Sequence, residues 1–192
     1  MRVLVAGLIG GILMFLWGAV AHLALGLGNV GIRTPANENV VLSSLHEGLG
    51  ERAGVYILPW LDPSQMNDPA QKLAYATKSV RSPYAWVVYM PQGEDLTQMG
   101  RQLPRQWASD TLAALMLAFV MALAGLSLGR RIGIAAAVAI YAWLNTMVPY
   151  WNWYRFPLDF IQAALIEQLI GWLIAGAVMA WWLGRYERRL AR

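Results

Sequence analysis

Long apolar runs separated by a few arginines set the first constraint on this chain. Seven of its thirteen arginines fall at Arg2, at Arg130 and Arg131, and at Arg185, Arg188, Arg189 and Arg192. Between them run segments close to or beyond the roughly 20 apolar residues that cross a hydrocarbon core. Short basic stretches beside such segments stay on the cytoplasmic side of a membrane, so the pattern predicts both termini and one central turn on that side. A water-soluble fold would have to bury these runs with 14% charged residues to cover 58% hydrophobic ones. The chain reads as an all-α membrane protein of four transmembrane helices, with a small α+β extracytoplasmic insertion between the first and second.

The first helix is expected over residues 3–27. Ala19-Val20-Ala21 resembles a signal-peptide cleavage site, but the apolar run exceeds the roughly 7 to 15 residues of a signal core. Gly7, Gly11, Gly18 and His22 share one helical face, where small residues admit a neighbouring helix. Residues 28–107 carry seven acids and seven bases, a neutral stretch suited to translocation. Within it Thr34-Pro35 signals a helix start and Gly48 and Gly50 its end, Val55 to Leu58 and Tyr84 to Tyr89 read as strands, and Pro69 to Val80 as a helix. Two strands alone are marginal in water, so a cap is expected rather than an independent domain. Helices two and three are expected at residues 108–128 and 132–148, joined by a Gly129-Arg130-Arg131 turn. An outer turn follows at 149–157, then a fourth helix at 158–184 and a basic tail at 185–192.

Few residues carry recognisable chemistry. The chain has no cysteine, which excludes disulfides and thiol nucleophiles. Gly26-Leu27-Gly28-Asn29-Val30-Gly31 fits G-x-G-x-x-G but follows a membrane helix instead of a strand, so it reads as a glycine-rich exit from the bilayer. Ser43, Ser44, His46 and Glu47 crowd onto one helix at spacings that do not align nucleophile, base and orienter. The only histidines, His22 and His46, form no metal-binding pattern, and Asp62, Asn67 and Asp68 lack the spacing of a calcium loop.

Glu167 stands apart. By helical rise it lies about 13 Å below the outer boundary of the fourth helix, and a carboxylate at such depth points to a functional site. It belongs to the row Asp159, Ala163, Glu167, Gly171, Ala175, and helix three offers a matching row of Gly133, Ala137, Tyr141 and Asn145. The expected cluster is therefore Glu167 with Asn145 or Tyr141, and His22 as second-choice partner. Such a carboxylate either holds helices together or binds a proton or a small ligand.

Tyr150, Trp151, Trp153, Tyr154 and Arg155 are expected to anchor the outer interface, with the capacity to stack a ring-bearing or cationic ligand. Arg130, Arg131, Arg185, Arg188, Arg189 and Arg192 are expected to contact lipid headgroups; the net charge of +4 comes from these positions and not from a nucleic-acid-binding face. A glycine-rich first helix with a tryptophan, the stretch Asn37-Glu38-Asn39-Val40-Val41-Leu42, the G-V-Y-x-x-P element from Gly54 to Pro59 and the V-Y-x-P-x-G element from Val88 to Gly93 together resemble a group of small bacterial four-helix inner-membrane proteins. The resemblance covers most of the chain and implies the bacterial inner membrane, with no activity or site residue attached.

The function expected is that of a non-enzymatic accessory subunit or assembly factor docking on a larger membrane complex. The alternative is a binder or carrier of a small amphipathic ligand (lipid, quinone or cation) using Glu167 and the outer aromatic turn. Expected partners are membrane lipids and a membrane protein or second copy; no catalytic residue, cofactor, metal or nucleic acid is expected.

Overall fold

The computed structural model describes residues 1–123 and 125–190, with the side chains of 189 and 190 excepted. In chain order it places α1 at Arg2–Ala19, a π-helical turn at Val20–Ala24, α2 at Glu38–Leu49, β1 at Gly54–Leu58, α3 at Pro69–Arg81, β2 at Ala85–Tyr89, α4 at Gln102–Ala122, α5 at Leu128–Tyr154 and α6 at Leu158–Leu190. The chain divides into two units, Met1–Arg33 with Leu96–Arg192, and Thr34–Asp95.

The smaller unit is built on a two-stranded antiparallel sheet whose register runs from Gly54 opposite Tyr89 to Leu58 opposite Ala85. Its helix α2 starts later than Thr34-Pro35 suggests, because Asn37 is the side chain that caps it, accepting from the Val40 amide at 3.2 Å. Asp68 caps α3 through the Ala70 and Gln71 amides at 2.8 and 3.3 Å, with Pro69 in the first position. Asp62 accepts from the hydroxyl and amide of Ser64 at 2.6 and 2.9 Å, which holds its carboxyl below the ordinary value. The serine and histidine of α2 do not meet: Ser43 donates to the Val40 carbonyl at 3.1 Å, while His46 lies 3.3 Å from the Tyr89 hydroxyl.

The larger unit is a helical bundle organised by α1. Along α6 it forms an antiparallel ladder, from Arg2 beside Glu187 at 3.4 Å through Gly10 against Met179 to Trp17 against Gly171, and the segment after it carries the ladder on to Arg33 on Asp159 at 2.7 Å. Along α4 it is antiparallel too: a Cβ on Gly11 would stand 2.5 Å from the Thr111 Cα, and one on Gly7 2.8 Å from the Leu115 Cα. Helix α1 is thus glycine on two faces, which lets two neighbours approach backbone to backbone. Helix α5 packs on α6 through Ala135, which occupies the space a Cβ on Gly176 would need. The core at these crossings is mostly alanine and methionine, including Ala114, Ala118, Met121, Ala139, Ala175 and Met179. Small side chains set the spacing, and the flexible thioethers fill what remains.

Several boundaries differ from the sequence reading. The second long helix spans 102–122 instead of 108–128, and Gly129, Arg130 and Arg131 lie in the first turn of α5 instead of forming the connecting turn. Ser127 caps α5 through the Arg130 amide at 3.4 Å. At its other end α5 passes through Pro149 to Tyr154, so the aromatic residues expected in a turn over 149–157 stand on helix for the most part. Proline costs only its own N–H bond and the fit against the preceding turn, and a long helix already anchored elsewhere absorbs that. Termination comes at Arg155, in the left-handed region at φ 57°, with the Phe156 amide on the Tyr150 carbonyl at 3.2 Å. The fourth helix continues past 184 to Leu190 and takes in most of the tail.

Three helical stretches, Arg2–Ala24, Leu128–Tyr154 and Leu158–Arg188, are long and apolar enough to cross a membrane. Helix α4 is not among them, since Arg105, Gln106 and Asp110 make its first half polar. The protein is mostly helical, with three membrane-length helices and one small sheet, as a membrane protein would be.

Candidate functional site

At Val20–Ala24 α1 loosens into a π turn, closed by the Leu25 amide on the Val20 carbonyl at 3.0 Å. Such bulges re-aim side chains and recur at functional sites. Here the turn carries His22, whose Nε2 lies 3.0 Å from Glu167 Oε1 on α6. The ring also needs the glycine at position 28: a Cβ there would collide with its Nδ1. The middle glycine of Gly26-x-Gly28-x-x-Gly31 makes room for an imidazole and not for a pyrophosphate; the preceding element is helix, as the sequence reading held.

Glu167 is fixed from a second direction. Trp17, on α1, donates its indole N–H to the Glu167 carbonyl at 2.9 Å, and Trp143 does the same from α5 to the Ile161 carbonyl at 2.8 Å. Both indoles use the spare lone pair of a helical carbonyl, so α6 is pinned from both sides without losing a backbone bond. Gln168, next in sequence, accepts from Trp172 at 3.2 Å.

His22 and Glu167 open on a cleft of about 470 Å³ between α1, α4 and α6. Helix α4 contributes Gln102, Gln106 and Asp110, with Gln106 donating to Asp110 at 2.9 Å. Met14, Phe15, Trp17, Leu23, Met99 and Leu103 make the walls apolar. Among the described residues lining it there are two carboxylates, one histidine and no lysine or arginine. His22 is already engaged by Glu167, and Asp110 stands without a cationic partner among the described residues that line the cleft.

The predicted cluster is therefore corrected in its partners. Tyr141 is 69% exposed and Asn145 is exposed, away from Glu167; His22, the second choice, makes the contact. The reason lies in α5. Its rows Gly133, Ala137, Tyr141, Asn145 and Arg131, Ala135, Ala139 are both small, but the second is the buried one because Arg131 has an acid to meet on α6. Asp110 and the α4 glutamines were missed; the signal was Gln106 and Asp110 at i, i+4 just ahead of an apolar run, a polar stripe with no reason to face lipid.

The aromatic group forms a series, Tyr150 edge-on with Tyr154 at 5.8 Å and with Phe156 at 5.0 Å, then Phe156 tilted against Phe160 at 5.5 Å. Trp151, Trp153 and Arg155 are exposed, and none of the group lines the cleft. Among the expected headgroup arginines, Arg130, Arg185 and Arg188 are exposed, with Arg185 5.4 Å from the Trp181 ring centre. Arg131 is not at the surface: it is fully buried, its Nε donating to the Met121 carbonyl at 3.1 Å and its Nη2 to both Glu187 oxygens at 2.7 and 2.8 Å. The Arg189 side chain and all of Arg192 lie outside the described residues.

No protein-family model, curated protein or solved structure matches this chain. An exposed histidine paired with a partly buried glutamate, a second carboxylate and three glutamines lining an apolar cleft suit a ligand with one polar, proton-rich head and a greasy body. No nucleophile with an adjacent base lines it.

Proposed function

We propose that this chain is a four-span inner-membrane protein, with both termini cytoplasmic and residues about 28 to 107 on the outer side, that binds a small amphipathic ligand with a cationic, amine-like head. The observation that carries the ligand is Asp110: it faces the same cleft as the already paired Glu167, among described residues that include no lysine or arginine. A carboxylate held near hydrocarbon without a counter-ion is costly, so it draws a proton or a cation. Phe15 and Trp17 add faces on which a cation rests favourably. The fourth span is supported by α4 lying antiparallel along α1, with the apolar half of α4 beside the apolar half of α1 and its polar half beside the His22 end. From Glu167 to Glu187 the helix rises about 30 Å, the thickness of a hydrocarbon core, which would put the cleft near the outer boundary, open to molecules partitioning there.

The test is melting of the detergent-solubilised full chain with n-dodecylamine or n-dodecanol, chains of equal length with different heads. The amine is expected to raise Tm and the alcohol to leave it unchanged. Asp110→Asn and Glu167→Gln are expected to keep the ligand-free Tm close to wild type, since each amide retains an oxygen for Gln106 or His22, and to lose the amine-induced rise. An equal rise with dodecanol, or an amine rise surviving in both variants, would overturn the reading.

A second reading, an accessory subunit or assembly factor, draws on the Thr34–Asp95 unit, where Val40, Val41, Leu42, Val55 and Val88 are all exposed. Apolar surface of that kind favours a covering partner. Native mass spectrometry after mild extraction separates the two: a stoichiometric protein partner supports docking, a retained amphiphile the cleft.

A further inference from the structure

At the other end of α6, some 20 residues from the His22–Glu167 pair, the structure points to a second site, and we propose that it binds the phosphodiester of an anionic phospholipid. The site is a cavity of about 350 Å³ whose lining includes Ser127, Arg131, Trp181, Gly184, Glu187 and Arg188. Arg131 is fully buried and three of its hydrogen bonds are accounted for by Met121 and Glu187, all through Nε and Nη2; among the described residues Nη1 has no partner. That nitrogen lies 3.5 Å from the point where a Cβ on Gly184 would stand, and Arg188 Nη1 lies 3.5 Å from the same point. Two guanidinium groups thus converge over a residue without a side chain, no more than twice that distance apart, a gap that one tetrahedral oxyanion bridges.

The charge balance agrees. Among the described residues lining the cavity Glu187 is the one carboxylate, and it is already engaged by Arg131 and, at 3.4 Å, by Arg2. Arg131 and Arg2 both engage this one carboxylate and Arg188 lines the same cavity, so an additional negative group is favoured there. Arginine forks suit phosphate oxygens better than any other side chain. The start of α5, a 27-residue helix, lines the cavity at Ser127 and Leu128 and adds the positive end of its dipole.

A lipid, in preference to free phosphate, is favoured by the surroundings. Leu126, Leu128, Ala180 and Trp181 complete the lining, giving apolar wall beside the cationic floor. The cavity also sits where two membrane-length stretches end, at Leu128 and at Arg188, the level at which headgroups lie. A nucleotide or inorganic phosphate would gain nothing from the wall.

The experiment uses the full chain in nanodiscs of phosphatidylcholine with a minor fraction of phosphatidylglycerol, followed by native mass spectrometry to count retained lipid. Wild type is expected to retain one phosphatidylglycerol in preference to phosphatidylcholine. Arg188→Gln and Gly184→Leu, which remove one guanidinium and fill the cradle, are expected to reduce that retention about tenfold, the loss of one charge-assisted hydrogen bond. Arg130→Gln, which removes the same charge from an exposed neighbour outside the cavity, is expected to retain lipid as wild type does. Equal loss with Arg130→Gln would show diffuse surface attraction and overturn the site, as would unchanged retention in Arg188→Gln. Displacement of the lipid by millimolar inorganic phosphate would overturn the lipid assignment.

Discussion

Arg131 shows how a single side chain redefines its helix. Read in sequence beside Arg130 it belongs to a basic turn at the headgroups, whereas the structure buries it and gives it the Glu187 carboxylate and the orphan carbonyl of Met121 at the end of α4. One guanidinium therefore closes α4, α5 and α6 together, and through Glu187 it reaches Arg2 of α1. Breaking such a pair by removing one member is far worse than replacing both. Arg131→Met is expected to destabilise the solubilised protein by about 3 kcal/mol, the low end for a buried pair because Glu187 is partly solvated. The double substitution with Glu187→Met is expected to recover more than half of that in the same chemical-denaturation measurement. Equal losses in single and double variants would mean that the pair is not the source of the stability. The sequence did contain the clue: Arg131, Ala135 and Ala139 recur every four residues, and Glu187 is the lone acid within the arginine-rich end. Periodicity cannot tell which of two small rows on one helix is buried; the charge that must find a partner can.

At the level of elements, what the amino-acid pattern makes legible is length, direction and caps. Hydrophobic runs mark α1, α5 and α6, β-branched and aromatic runs mark β1 and β2, and Asp68-Pro69 marks the start of α3. Misjudged were the ends of α4 and α5. Both errors come from treating local breakers as decisive, although Pro149 is carried inside α5 and Gly129 inside its first turn. The glycines of α1 are likewise alike in sequence and unlike in place. A Cβ on Gly11 would press on the backbone of Thr111, while one on Gly18 meets nothing within 4 Å. Gly11→Ala is accordingly expected to cost about 1–3 kcal/mol by forcing α1 and α4 apart, as overpacking does. Gly18→Ala is expected to be neutral or to stabilise by up to about 1 kcal/mol, through helix propensity alone. A comparison of the two melting temperatures decides it, and equal effects would contradict the close α1–α4 approach. The π turn that presents His22 was invisible to pattern reading, because the residues that build it are as apolar as the helix before them.

For the molecule as a whole, the proposed membrane arrangement rests on charge placement and is tested most directly by accessibility. The chain has no cysteine, so single cysteines report without background. A cysteine at Ser64 is expected to react with an impermeant maleimide from the outer side of intact cells, and one at Ser127, ahead of α5, only after the membrane is opened. The reverse pattern would invert the topology. The ladder along α6, from Arg2 on Glu187 to Arg33 on Asp159, bears on biogenesis as well. It joins α1 to α6, a helix made after α4 and α5. Until α6 emerges, His22 has no Glu167 and neither Arg131 nor Arg2 has Glu187, so α1, α4 and α5 wait with these charges unmatched. Assembly of the bundle is in this sense set by α6, and a chain cut before Glu187 would hold buried charge with no partner, a natural mark for quality-control proteases.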